Sequence, residues 1–506
     1  MTDVQGLPEI IITLGRDRLT AAEAASVASI EVHAALAQPA RCSITWLTLD
    51  AGRRVDPAPG DALRVEVVGV RRALFVGEVT VVEHSYGADL AEEIRVRAYD
   101  ALHRLRKRQF TRVHDEVDLN GLATALCAGT GLSVVGGTGR PARTYQLARS
   151  DLGLLVEASR RAGLYPVVDD SALRLVGLEG EGDPVELNLG TTLHSAELEI
   201  SQEPSFLSAS VTGWNPNSAA IVHGESDDNR ARAGVRADAA PQSVGGGGAL
   251  LRQNDALADD AAATDLAQSE LDVRAAGEIT GVFVAEGDPR IRVGGRVKIT
   301  GVTAALEGTY TVCDVVHSVE GSGYETTIST RPPAIPAAQP SARPADVTTL
   351  GLVVDVDDPE QRARVQVDLP AYPQVTTGWA PVLTQGAGTG KGAVILPNTG
   401  DSVLVLLVAG DPGDAVVLGG LFGPERVPDA DLGGDRGRRF TVATADGQRV
   451  VLDGASHSIR VEDGHGSSIS LTPDLFTLHS ATDLMIEAPG RALTVRAKTV
   501  DFEEAT

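Results

Sequence analysis

Over the last seventy or so residues, apolar side chains recur as pairs at i, i+2. The pairs are Phe440/Val442, Val450/Leu452, Ile459/Val461, Ile469/Leu471, Phe476/Leu478, Leu484/Ile486, Leu493/Val495 and Val500/Phe502, their first members 7 to 10 residues apart. Asp446-Gly447, Asp453-Gly454, Asp463-Gly464 and Pro489-Gly490 fall between them. Two apolar residues at i, i+2 mark one face of a short strand, and Asp-Gly is turn chemistry, so the pattern predicts about eight strand-plus-turn units. Each strand offers one narrow apolar stripe. A single thin ribbon would leave these stripes wet and its edges unpaired. Winding three copies about one axis gathers the stripes into a central core and pairs strands between chains. With strand layers about 4.8 Å apart, eight of them make a rod of roughly 40 Å.

Upstream, the pattern divides into two further blocks. Thr349–Val354, Val365–Leu369, Gly378–Leu383, Val403–Val408 and Val416–Leu421 read as strands separated by turns such as Asp358-Pro359 and Gly410-Asp411-Pro412-Gly413, a count that fits a small closed barrel of the oligonucleotide/oligosaccharide-binding (OB) type. In the first block, strand-like runs lie at Ile10–Leu14, Leu63–Val70, Leu74–Val82 and Ile94–Ala98. Helices are predicted between such runs. Asp118 caps one carrying Leu119, Leu122 and Leu126 and ending at Gly129; Ser150 or Asp151 caps another carrying Leu152, Leu155 and Val156 and ending at Gly163; an Ala-rich helix lies between Asp255 and Ala276. The expected fold is mainly β: a hub of two β-barrels with inserted helices (1–330), a Pro-rich linker (331–346), an OB-fold barrel (347–424), a second linker (425–437) and a C-terminal triple-stranded intertwined β-helix in a homotrimer (438–506).

Composition narrows the function classes. The chain has 506 residues, 55 of them glycine, and is only 4% aromatic, which suits turns and small stacked side chains. Its formal charge of −25 argues against a phosphate-tracking nucleic-acid binder, and three copies would carry 3 × −25 = −75, keeping a β-rich particle soluble. Cys42, Cys127 and Cys313 lie far apart without a CxxC pair, as expected of buried thiols in a reducing compartment. The longest apolar run, Val403 to Ala409, is too short to span a bilayer, and no basic region precedes the apolar stretch near the N-terminus, so neither a signal peptide nor a membrane span is expected.

No motif carries chemistry. The stretch Gly386–Val394 (GAGTGKGAV) resembles a phosphate-binding loop only superficially: Gln385 stands where the first glycine is needed and Lys391 is followed by Gly392 instead of Ser or Thr. The glycines Gly245–Gly248 follow no strand and read as a surface loop. A threefold axis would gather three copies of His457, His465 or His479, but isolated histidines in such a segment read as surface or turn residues; His317 reads as a barrel residue. There is no Gly-x-Ser-x-Gly elbow and no acid/base pair of carboxylates at telling spacing, so neither an enzyme nor a cofactor is expected. The cluster Arg104, Arg106, Lys107, Arg108 and Arg112 is unusual in an acidic chain. It reads as a solvated helix flank or as a docking patch for an acidic partner.

Two longer segments carry a family resemblance. GLVVDVDDPEQRARVQVDLP, GWAPVL and LPNTGDSVLVLLVAGDPGDAVVLGGLFGPE, within Gly351–Glu425, resemble the OB module of the valine-glycine repeat spike proteins of type VI secretion and of phage-tail-like contractile injection systems. Gln146–Leu175 and Gly287–Thr330 resemble the phage late-control D hub family. The resemblance implies a trimer in which three hub blocks form a pseudo-sixfold ring fitted to the hexameric inner tube, with the β-helix projecting as a spike. The implied partners are the inner tube protein ring, baseplate components, a tip protein of the proline-alanine-alanine-arginine (PAAR) repeat type, and effector cargo.

The expected function is therefore structural: a spike and hub fronting the inner tube and piercing the target envelope on sheath contraction. It would assemble in the cytoplasm into a particle that is released or acts at the envelope. The spike core stripe would comprise Phe440, Val442, Val450, Leu452, Ile459, Val461, Ile469, Leu471, Leu484, Ile486, Leu493, Val495, Val500 and Phe502. The alternatives are a spike-borne cell-wall hydrolase, for which the usual lysozyme-like insert is missing, and a glycan-binding tail protein, for which the last block has few aromatic residues free of the stripe.

Overall fold

The computed structural model describes residues 9–48, 55–86, 92–137, 139–228, 230–231, 248–333, 346–423 and 438–503. Most of both expected linkers, and the glycines Gly245–Gly247, lie outside these residues. The chain forms two compact units, residues 1–421 and 422–506.

The backbone of the first unit is an 11-stranded sheet that wraps two separate cores. One core collects Ile12, Ile30, Ile44, Trp46, Leu63, Val65, Phe75, Ile94 and Val96 from the N-terminal strands, whose side chains alternate between inside and outside, as in Glu92–Tyr99. The other collects Leu187, Phe283, Val297, Ile299, Tyr310, Val315 and Ile328. The halves join where Val27–Ala35 pairs antiparallel with Asp314–Glu320, in a register that sets Val32 opposite His317 and Ala34 opposite Val315. Two barrel-like halves share one seam.

Helices are inserted between these strands at the positions the caps predict. Asp118 accepts a hydrogen bond from the Gly121 N–H and starts Leu119–Cys127; Ser150 accepts from the Gly153 N–H and starts Asp151–Arg161. The Ala-rich helix is Asp260–Ala276, capped by Asp259. It lies against the three-stranded sheet formed by Ser208–Asn215, Ala220–Ser226 and Ala249–Ala256. Gly224 allows that approach, because a Cβ there would stand 2.2 Å from the Thr264 backbone nitrogen.

The OB block is a five-stranded sheet around Val353, Val365, Val367, Val403, Val405, Leu407 and Val417. Four strands fall where the pattern places them; the third is reduced to Ala380–Pro381. Its closing turn is fixed by Asp358, whose two oxygens take the buried Arg364 guanidinium at 2.7 and 3.0 Å while also accepting backbone N–H groups of Glu360 and Arg362. The Gly386–Val394 stretch is a loop whose next element is the strand Ser402–Leu407. Tyr145, from the two-stranded ribbon of Gln109–Val117 and Ala142–Ser150, packs with Val113 and Leu147 into the OB core. Hub and OB barrel therefore share a core.

In the second unit the strands are Arg439–Ala443, Arg449–Asp453, Ser458–Glu462, Ser468–Leu471 and Phe476–His479, an antiparallel meander in chain order. Within the single chain, successive strands pair with one another. One feature differs from the expectation: Leu484/Ile486, Leu493/Val495 and Val500/Phe502 lie outside any strand. A short segment becomes a strand only beside a partner edge, and in the single chain these three pairs take none.

Candidate functional site

The meander's register decides which side chains share a face. Directly opposed residues of antiparallel strands point the same way. The pairs Phe440↔Leu452, Leu452↔Ile459, Ile459↔Leu471 and Leu471↔Phe476 make one continuous column, and Val442↔Val450, Val450↔Val461, Val461↔Ile469 and Ile469↔Leu478 make a second beside it. All ten side chains are exposed in the single chain, from 38% at Val450, Val461 and Ile469 to 64% at Phe476. The opposite face is polar. It carries Thr441, Arg460, Ser470 and Thr477 in one row, with Val451 as its buried member, and an Arg439–Asp453 ion pair at 3.3 Å in another.

The turns are built to keep successive strands short and close. Asp453 accepts the N–H groups of Ala455 and Ser456, and Asp463 those of His465 and Ser467, which holds both carboxyls below their usual range. Gly447 and Gly464 both have positive φ, and a Cβ on Gly464 would come within 2.7 Å of the Asp446 carbonyl oxygen. Turns on the same edge touch, which is why glycine follows aspartate in both. His457 and His465 sit in turns and His479 ends the last strand.

A contiguous apolar face of ten residues is large for a soluble chain. Burying one such side chain from full exposure is worth about 1.5–3 kcal/mol; these ten are already partly covered, so a surface laid over them would gain roughly half of that at each. Leu484, Ile486, Leu493, Val495, Val500 and Phe502 continue the apolar series, all exposed.

The basic cluster is placed differently from a solvated flank. Arg104, Arg106 and Lys107 lie on the helix His103–Lys107, but Arg112 is on the strand Gln109–Val117. Arg104 grips Glu78 with two nitrogens, and Arg108 and Arg112 reach the fully buried Asp151 at 2.9 and 3.0 Å. Arg106 stacks over the Tyr99 ring at 4.7 Å. Three of the five charges thus have acidic partners inside the fold, a role the sequence did not reveal. Among the described residues, no cluster of three or more His, Cys, Asp or Glu is arranged to hold a metal, and no helix is long and apolar enough to cross a membrane.

Residues 349–422 match the model of the type VI secretion system/phage-baseplate injector OB domain. Among solved structures, the VgrG complex with PdpA from Francisella aligns over 94% of this chain and 88% of its own, at 7% identity and a TM-score of 0.54. The E. coli c3393 protein, a component of type VI secretion, aligns over 82% of this chain and 99% of its own, at 12% identity and a TM-score of 0.50. The 43 kDa tail protein of prophage MuSo2 from Shewanella oneidensis covers 63% of this chain and 97% of its own, at 16% identity and a TM-score of 0.50. No curated protein matches in sequence.

The chain thus has the fold of VgrG-like proteins, with an injector-type OB domain at residues 349–422. It belongs to the Alg8 N-terminal domain family, whose model matches residues 58–321, more than half of the chain.

Proposed function

We propose that three copies of this chain assemble into the central spike of a contractile injection machine, in which sheath contraction drives a rigid β rod through the target envelope. The observation that carries the reading is the pair of apolar columns, Phe440 to Phe476 and Val442 to Leu478, exposed along one face of the C-terminal sheet. Three such faces turned to a common axis form a closed core, and residues 484–502 find partner edges on the sister chains, so that the whole stripe from Phe440 to Phe502 is covered. Function then lies in stiffness, without a catalytic centre.

In this reading residues 1–330 are the hub, 347–424 the OB barrel and 438–506 the spike, with linkers at 331–346 and 425–437. The hub trimer seats on the inner tube ring, the spike end carries a PAAR-like tip, and cargo rides on the assembly. The partner seen with VgrG in the Francisella complex supports a spike that binds other proteins. Arg106 and Lys107, exposed on their helix, are what remains of the basic cluster for an acidic baseplate or tube surface. Sedimentation of the purified chain tests the assembly. A trimer is expected, and a stable monomer at micromolar concentration refutes it.

A further inference from the structure

Above the seam of Val27–Ala35 and Asp314–Glu320 lies a cleft of about 340 Å³, roofed by the hairpin of Leu164–Asp169 and Ala172–Gly177. Its floor is apolar, with Val32 and Val315, the roof adds Val167, and the small side chains of Ala34 and Ala73 leave the room. A volume near the lower end of small-ligand sites fits one or two residues of a peptide better than a large cofactor.

The charges around it are unevenly satisfied. Arg72 bonds Asp169 at 2.5 Å, Arg174 bonds Glu181, Arg290 bonds Asp288, and Arg64 stands 3.5 Å from Asp170. Asp100 is enclosed by the N–H groups of Ala40 and Leu102. The hydrogen bonds of Arg292 and Arg296 go to neutral acceptors: Arg292 donates to the Ala73 carbonyl at 2.9 Å, with only a long ion pair to Asp169, and Arg296 gives two N–H groups to the Gly182 carbonyl. The nearest carboxylate oxygen to Arg292, Oδ1 of Asp169, is 3.7 Å away, beyond hydrogen-bond distance, and is itself buried without a hydrogen bond. Burial pulls the Arg292 pKa down from its ordinary value, so the guanidinium has lost water without gaining a full set of partners.

We propose that this cleft receives the C-terminal end of a partner polypeptide, its terminal carboxylate on Arg292 and Arg296 and its last aliphatic side chain on the valine floor. A carboxylate matches the guanidinium fork and carries one charge. Phosphate, with up to two charges, would meet Asp169 and the exposed Asp183 of the rim and would leave the apolar floor unused. Asp183 instead offers an acceptor to a peptide N–H.

All the lining residues come from one chain, so the test is read separately from the sedimentation result. The full chain is titrated calorimetrically with acetyl-Ala-Leu as the free acid, with the same peptide as its C-terminal amide, and with inorganic phosphate. The free acid is expected to bind saturably and the amide about tenfold more weakly or worse. Arg296→Gln, a change at a solvent-facing side chain, is expected to weaken the free acid about tenfold while leaving the unfolding temperature unchanged; Arg292→Gln should weaken it further. Equal binding of acid and amide, phosphate binding as tightly as the peptide, an unaffected Arg296→Gln variant, or no saturation at millimolar peptide would each overturn the proposal.

Discussion

Arg112 and Asp151 are joined across the hub insert, the arginine Nη2 lying 3.0 Å from an aspartate oxygen that has no exposed surface. Gln146 donates to the same oxygen at 2.7 Å, and Arg108 approaches the other at 2.9 Å. The carboxylate thereby ties the ribbon of Gln109–Val117 and Ala142–Ser150 to the first turn of the helix Asp151–Arg161. Asp151→Ala removes the carboxylate that two partly buried guanidiniums and the Gln146 amide share. A loss of about 3–5 kcal/mol is expected, measured by denaturant unfolding.

The two faces of the C-terminal sheet should respond oppositely to substitution. Ile459 lies in an apolar column and its neighbour Arg460 on the polar face. Ile459→Asp puts a charge where sister chains are proposed to meet, so the particle is expected to fall to monomers in sedimentation. Arg460→Ser should leave the mass unchanged. If Ile459→Asp stays fully trimeric, the columns are not the contact.

His317 gives the hub a pH dependence. Its Nε2 donates to the Ile291 carbonyl at 3.1 Å, and Nδ1 accepts from Tyr324 and Thr326 at 3.0 and 3.1 Å, an arrangement that needs the neutral ring. Burial first, then Arg292, push its pKa down to about 4, against weaker upward pulls from the Ile291 carbonyl and then Asp288. The unfolded imidazole takes its proton first, so stability is lost as pH falls from about 6.5 towards 4, by up to about 3 kcal/mol. Thermal unfolding followed across that range should decline more steeply for the native chain than for His317→Gln. Parallel curves would refute the assignment.

Gly224 marks the closest approach of a helix to the hub. Gly224→Ala sets a methyl 2.2 Å from the Thr264 nitrogen and 2.4 Å from the Ala263 carbonyl carbon, both rigid backbone of the helix Asp260–Ala276. A loss of about 1–3 kcal/mol is expected in unfolding measurements. Ala220→Ser, an exposed change at the start of the same strand, serves as the control with little effect.

Much of this was legible because the signals are local. Period-two pairs and Asp-Gly turns mark the first five C-terminal strands and even their shared face, and Asp118 and Ser150 announce their helices through side-chain caps three residues from the N–H they serve. The last three apolar pairs show the limit: their spacing suits strands, but spacing does not supply a partner edge, and in the single chain they take none. The arginine cluster shows another. Arg104 meets Glu78 across 26 residues and Arg112 meets Asp151 across 39, and no spacing rule links such positions. The cleft with Arg292 was equally hidden, since its walls come from stretches as far apart in sequence as Val32, Arg72, Val167, Arg292 and Val315.

Tyr145 belongs to the hub by sequence, yet its ring is enclosed with Val365, Val405 and Val417 of the OB barrel, and Asn217 adds a hydrogen bond to the Gly413 carbonyl. A thrust applied to the hub therefore reaches the barrel by compression through packed side chains, with no need to pull on the proline-rich connection. Such a joint is stiff under a push and weak only in shear. In the proposed spike, this joint would carry an axial load in one direction for a single stroke.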